Sequence, residues 1–168
     1  MRRFTILTLC LLTLASFTHK VAWAQSGGAH FQHGSVSAAI QSNGNLVVSW
    51  TEAGLGNLDV TYTASGTAKA VYFCRTKSGS IPNASNKTTA STTVTAGGTF
   101  QAKNGSVTAS LTLLAPPAPV SSAPTCGSGQ SLDLQSVSWS NVSLSDDTNN
   151  VSTDVTKGTF SITLFPAP

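Results

Sequence analysis

Apolar residues recur at every second position through much of this 168-residue chain, and that period admits strands and little else. Leu46, Val48 and Trp50 fall on one side of an extended segment, with Val47, Ser49 and Thr51 on the other. Val60, Tyr62 and Ala64 repeat the pattern against Thr61, Thr63 and Ser65. Residues 70–74 are apolar on both parities, as a strand covered on both faces would be, which places Cys74 in the core. Leu132 and Leu134 are even, whereas Val137 and Trp139 are odd. One extra residue flips every later side chain, so a bulge is expected near Gln135 and Ser136. Val142 and Leu144, and then Phe160, Ile162 and Leu164, supply the last strands.

Phe100 and Ala102 lead into Asn104-Gly105, after which Val107, Ala109, Leu111 and Leu113 alternate with Thr108, Ser110 and Thr112. Asn-Gly between alternating runs predicts a hairpin, because a type I′ turn needs positive φ at both central residues. Turn signals recur about every 8 to 12 residues, and no stretch holds a capped helical period. The expected fold is all-β: a single antiparallel β-sandwich, Ig-like or jelly-roll-like, of about 8 to 10 strands. The pattern leaves the strand order open.

The amino terminus carries a different signal. Arg2 and Arg3 precede an apolar run over residues 6–17, and Ala22-Trp23-Ala24 fits a small-x-small cleavage site before Gln25. Residues 1–24 read as a signal peptide, and the chain as secreted, to the periplasm or beyond. Leu9, where a small residue would be expected, argues against lipidation of Cys10. Cleavage leaves Cys74 and Cys126 as the remaining cysteines, in a compartment that favours one intradomain disulfide. Residues 25–34 read as a flexible amino-terminal arm and 35–168 as one domain. The four prolines of residues 115–124 could mark a linker, but the two cysteines flank the segment, so it reads as a crossover on the surface of that domain.

The formal charge of +3 resides in Arg2, Arg3 and Lys20; after the leader, six basic residues face six acidic ones. A nucleic-acid partner, which needs a basic face, is therefore not expected. No run beyond the leader approaches the roughly 20 apolar residues of a membrane span.

The order Glu52-Ala53-Gly54-Leu55-Gly56-Asn57, Cys74, Asn83-Ala84-Ser85-Asn86-Lys87, Gly98-Thr99-Phe100, Lys103-Asn104-Gly105 and Cys126 with Gly129-Gln130 resembles a group of small secreted bacterial β-rich proteins of uncharacterised function. The likeness spans most of the mature chain and rests on the order of weak, turn-rich motifs. It implies no catalytic residues.

Several side chains could carry chemistry. Glu52, with Asp59, could form the carboxylate pair of a glycan-active enzyme. It stands at the mouth of a glycine-containing loop with Leu55 and Asn57, where backbone or ligand can approach closely. That loop, residues 52–57, and a second over residues 78–87 with Asn83 and Lys87 are expected to be exposed, and one of the two to form the principal interaction surface. Trp50, Trp139, Tyr62 and Tyr72 could stack on sugars, but their parity assigns them to the core. His30 and His33 lack the third protein ligand of a zinc site, so no metal is expected there. Asp146, Asp147, Asn149, Asn150 and Asp154 could surround Ca²⁺, although Asp and Asn equally populate tight turns by bonding their own backbone. No cofactor is implied. The residues favour a secreted non-catalytic binding or surface-interaction module whose partner is an extracellular glycan or protein. A glycan-active enzyme using Glu52 and a structural subunit of a surface fibre are the alternatives.

Overall fold

The computed structural model describes residues 28–79, 86–155 and 158–165. The expected signal peptide and Asn83 lie outside the described residues. Nine strands and no helix make up the described chain: β1 (His30–Phe31), β2 (Ser37–Ile40), β3 (Leu46–Ala53), β4 (Asp59–Thr76), β5 (Lys87–Gln101), β6 (Ser106–Leu113), β7 (Gln130–Asp146), β8 (Val151–Asp154) and β9 (Phe160–Thr163). No helix among them is long and apolar enough to cross a membrane.

All pairings between these strands are antiparallel, and they form two sheets. In the shorter sheet β3 is central, β6 lies on one side, and β1 and β2 follow one another along the other. The longer sheet runs β5-β4-β7, with β8 and β9 in tandem on the far edge of β7. The sheets pack face to face around Leu46, Val48 and Trp50 from one and Val60, Tyr62, Ala64, Trp139 and Leu144 from the other. This is the expected β-sandwich, and the alternating residues of β3, of the first half of β4 and of β7 from Val137 onward bury the predicted faces, whereas Leu132 is exposed.

The bulge expected near Gln135 is present: Val71 pairs with Ser136 and Tyr72 with Leu134, leaving Gln135 as the extra residue. A second bulge lies at Asn141, whose φ is +51°. Ser65 and Thr67 pair with Ser143 and Ser140, so the inward parity moves from Val137 and Trp139 to Val142 and Leu144. The two bulges let the 17-residue β7 follow the twist of β4 while keeping apolar residues inside.

The Asn104-Gly105 turn forms with positive φ at both residues, 53° and 77°, and Lys103 and Ser106 close it by reciprocal backbone bonds of 2.9 and 3.1 Å. The hairpin expected around it does not extend. Only the Lys103–Ser106 bridge forms; beyond it β5 pairs with β4 in the longer sheet and β6 with β3 in the shorter one. The turn is thus a corner between sheets. Each flanking strand finds a longer ladder elsewhere, fifteen residue pairs for β5 and eight for β6.

The free arm expected over residues 25–34 is also corrected within its described part. His30 and Phe31 pair with Ala53 and Glu52, Gln32 N–H donates to the Thr51 carbonyl at 2.9 Å, and Phe31 packs on the core. Phe31 and Ala29 are partly buried against the core there, and the apolar area they remove from water favours docking.

The longer sheet outreaches its partner, and the Pro-rich segment covers the surplus. Tyr72 Oη donates to the Pro116 carbonyl at 2.5 Å, Thr88 Oγ1 meets Ser122 Oγ at 3.3 Å, and Cys74 is bonded to Cys126. Cys74 is fully buried, as expected. The turn before β3 seals the adjoining gap, with Trp139 Nε1 donating to the Gly44 carbonyl at 3.0 Å. Gly44 has φ +88°, and a Cβ there would sit 2.8 Å from Val137 Cγ1, so backbone comes closer to the core than a side chain allows.

Candidate functional site

Where β3 leads into β4, two connections cross between the sheets side by side. Leu55 N–H donates to the Gly105 carbonyl at 3.1 Å, and Ala102 N–H donates to the Leu58 carbonyl at 3.0 Å. Leu55 plugs the end of the sandwich at 1 % exposure. Gly54, at φ +81°, accepts the backbone of Gly28 so closely that a Cβ would lie 2.3 Å from the Gly28 oxygen. The close approach expected at this loop is made by the protein's own amino-terminal segment.

Beneath this plug lies a group of buried polar side chains. The inward parity of Leu46, Val48 and Trp50 continues one step to Glu52, which is 0 % exposed. On the facing sheet Val142, Leu144 and Asp146 do the same, and Asp146 is also 0 % exposed. Trp50, Tyr62 and Phe100 enclose the place, with ring centroids 4.8 Å (Trp50–Tyr62), 5.6 Å (Trp50–Phe100) and 5.9 Å (Tyr62–Phe100) apart; Phe31 lies 6.5 Å from Tyr62. Trp50 and Tyr62 therefore line the core, as their parity predicts, and Trp139 is buried as well; Tyr72 is half-buried against it.

The two carboxyl groups differ in their partners. Asp146 Oδ1 accepts from the backbone N–H of Thr148 and Asn149 at 2.8 and 2.9 Å, and Oδ2 accepts from Asn149 Nδ2 at 2.7 Å. Its oxygens thus organise the turn that follows β7, the structural role open to Asp in such a sequence. Asp147 takes Thr63 Oγ1 and Ser145 Oγ, both at 2.6 Å, and these hydroxyls hold its carboxyl below the usual range. Among the described residues no three His, Cys, Asp or Glu side chains converge to hold a metal.

Neither oxygen of Glu52 reaches a hydrogen-bond partner among the described residues, and the same holds for Tyr62 Oη and Trp50 Nε1. Burial raises the Glu52 pKa from 4.5 to about 7. The nearby Tyr62 hydroxyl favours its charged form, as does His30, and the charge of Asp146 opposes it. Burial, and then the neighbouring Glu52, push the Tyr62 phenol up as well. A carboxyl group titrating near neutrality has the proton affinity of a general acid. Here it is shut inside the core.

The sequence-predicted site is accordingly dispersed. Glu52 and Leu55, expected to be exposed, are buried, the first by strand parity and the second because it plugs the sandwich. Asp59 is exposed at the start of β4, so it shares no cleft with Glu52. Asn57 and Lys87 are exposed. They stand at opposite ends of the longer sheet, since Asp59 pairs with Gln101 and Phe73 with Lys87, on the order of 45 Å apart at about 3.3 Å per residue. Beside Lys87's partner Phe73, Arg75 Nε bonds Asp133 Oδ2 at 2.7 Å and the guanidinium lies 4.6 Å from the Phe165 ring centroid. Arg75 holds the Asp133 carboxyl below its ordinary range.

The accessible features are of another kind. A groove of about 660 Å³ opens where β5 and β6 part, lined by Phe100, Gln101, Lys103 and Val107 among others. The outer face of the longer sheet carries Thr61, Thr63, Ser65 and Thr67 beside Thr93, Thr95 and Thr99 of β5. β5 has no partner on its second side among the described residues. Compared with protein families, curated proteins and solved structures, the chain gives no match.

Proposed function

We propose that the chain is exported and acts as a non-catalytic β-sandwich interaction module, whose partner is an extracellular protein or glycan. The observation that carries this reading is the unpaired edge of β5, fifteen residues of main chain with hydroxyl side chains beside it. Such an edge offers hydrogen-bonding groups to a partner strand. The disulfide and the leader-like amino terminus support an oxidising compartment outside the cytoplasm. The resemblance to small secreted bacterial proteins agrees with it.

The glycan-active alternative has less support, because Glu52 is sealed from solvent and Asp59 lies outside the core. The fibre-subunit alternative needs an alternating strand to close an incomplete sandwich between neighbours, and the C-terminal candidate for it, Phe160–Thr163, already pairs with β7 of the same chain. The test is a binding screen of the disulfide-closed chain against extracellular glycans and surface proteins, with glycan hydrolysis followed in parallel. We expect a ligand whose affinity falls in a β5-edge or Lys87→Ala variant, with no turnover. Glycan hydrolysis that Glu52→Gln abolishes while the fold survives would overturn the proposal.

A further inference from the structure

Among the described residues the other edges are shorter than β5 or divided. β1, β2, β8 and β9 have two to four residues each, and β6 has eight. Short edge strands are one of the devices by which proteins avoid pairing with one another; bulges, prolines and charges are others. β5 uses almost none of them. Its ladder with β4 runs through fifteen pairs without a register shift, whereas β7 carries two. It contains no proline, and its one charged residue, Lys87, sits at its first position. Ser91, Thr92 and Thr93 are exposed in succession, so neither face of mid-β5 is covered.

Resting on the interaction-module reading, we infer that the partner of this edge is a second copy of the chain, joined by antiparallel pairing of β5 with β5 about a two-fold axis at Val94. The sequence of β5 matches itself in that register. Val94 meets Val94, Thr93 meets Thr95 of the other copy, Thr92 meets Ala96 and Ser91 meets Gly97. No charge opposes a charge. The two Lys87 side chains fall at opposite ends of the joint, on the order of 45 Å apart and beyond the roughly 8–10 Å over which salt leaves them coupled.

The facing threonines repeat a contact that the fold already makes twice between its own strands. Thr61 and Thr99 meet through their Oγ1 atoms at 2.9 Å, and Thr51 and Thr108 at 3.1 Å. Each Thr93–Thr95 pair across the axis would add another. Residues 90–98 alone, clear of Lys87 and of the corner into β6, provide nine residue pairs and roughly one hydrogen bond for each. That is close to the roughly 10 direct bonds of a stable protein interface. Self-pairing also closes the edge, because a two-fold joint leaves no free copy of the same strand.

Sedimentation velocity on the full chain, expressed with its leader and recovered with its disulfide closed, tests this. The parent should pass from one-chain to two-chain mass within roughly 1 µM to 1 mM. Thr93→Lys with Thr95→Lys sets ammonium against ammonium twice across the axis, and should raise the dimer dissociation constant at least about tenfold. Thr93→Lys with Thr95→Glu sets opposite charges in the same places and should restore the parent's behaviour. All the changes fall on exposed positions, and circular dichroism confirms that each variant folds. A parent of one-chain mass at every concentration overturns the inference, as does an equal response of the two double variants. Either result leaves the screen for foreign ligands standing as the separate test of the interaction-module reading.

Discussion

At the end of the sandwich where β3 passes into β4, closure is made by side chains. Leu55, Phe31, Trp50, Tyr62 and Phe100 fill the space between the sheets, and two carboxyl groups are enclosed with them. At the other end of β4 the shorter sheet has run out. There a Pro-rich segment, the Cys74–Cys126 bond and the Arg75–Asp133 pair do the closing. The first end therefore depends on the protonation of one acid, and the second on the oxidation state of one cysteine pair. A single β strand of eighteen residues passes through both environments.

The largest expected effect belongs to the disulfide end. Replacing Cys74 and Cys126 together by Ala opens a loop of 52 residues, for which the chain-entropy account gives a loss of about 4 kcal/mol. Urea unfolding measures it, and the loss should be equal at pH 5 and pH 8. Hydrogen exchange should quicken around residues 72–76 before residues 60–64. If both regions quicken together, the two ends are one cooperative unit and the contrast fails.

Next comes Glu52. Its pKa stands above the ordinary 4.5, so the folded chain keeps a proton that the unfolded chain releases. Stability is full below about pH 4.5, falls as pH rises toward the folded value of about 7, and is level beyond; the whole fall is about 3 kcal/mol. Asp133 and Asp147, whose carboxyls are held low, act with the opposite sign and only at acid pH: their contribution is lost as pH falls below about 4. Glu52→Gln should flatten the profile between pH 5 and 8, making the variant more stable than the parent at pH 8 relative to pH 5. A parent that gains stability over that interval would contradict the assignment.

The smallest effect is expected at Arg75. Its side chain and that of Asp133 are 33 % and 26 % exposed, so water screens the pair. Arg75→Ala should cost no more than about 1 kcal/mol, including the contact with Phe165, and should let the Asp133 carboxyl rise toward its ordinary range. NMR titration of that carboxyl reads the second effect directly. A cost comparable with loss of the disulfide would mean that the polar ties, rather than the covalent one, close this end.

The pattern of residues alone was sufficient for the class of fold, most of the core, the disulfide, the bulge at Gln135 and the conformation of the Asn104-Gly105 turn. Each of these follows from side-chain parity, from the backbone preferences of a few neighbouring residues, or from the cysteine count. The burial of Glu52 was legible too, because it continues the inward parity of Leu46, Val48 and Trp50. The residue type, an acid beside a glycine-containing loop, argued the other way. The parity change between Trp139 and Val142 likewise announces the bulge at Asn141.

Other features depended on contacts between distant segments. Only the tertiary structure decided that β5 and β6 part at their shared turn, that His30–Phe31 adds to β3, and that one edge of β5 has no strand partner among the described residues. A strand's alternation says which side chains turn inward, but its main-chain groups can bond any strand that lies alongside. The choice falls to whichever arrangement buries the most apolar surface and satisfies the most backbone over the whole chain, a sum to which no local stretch of sequence has access.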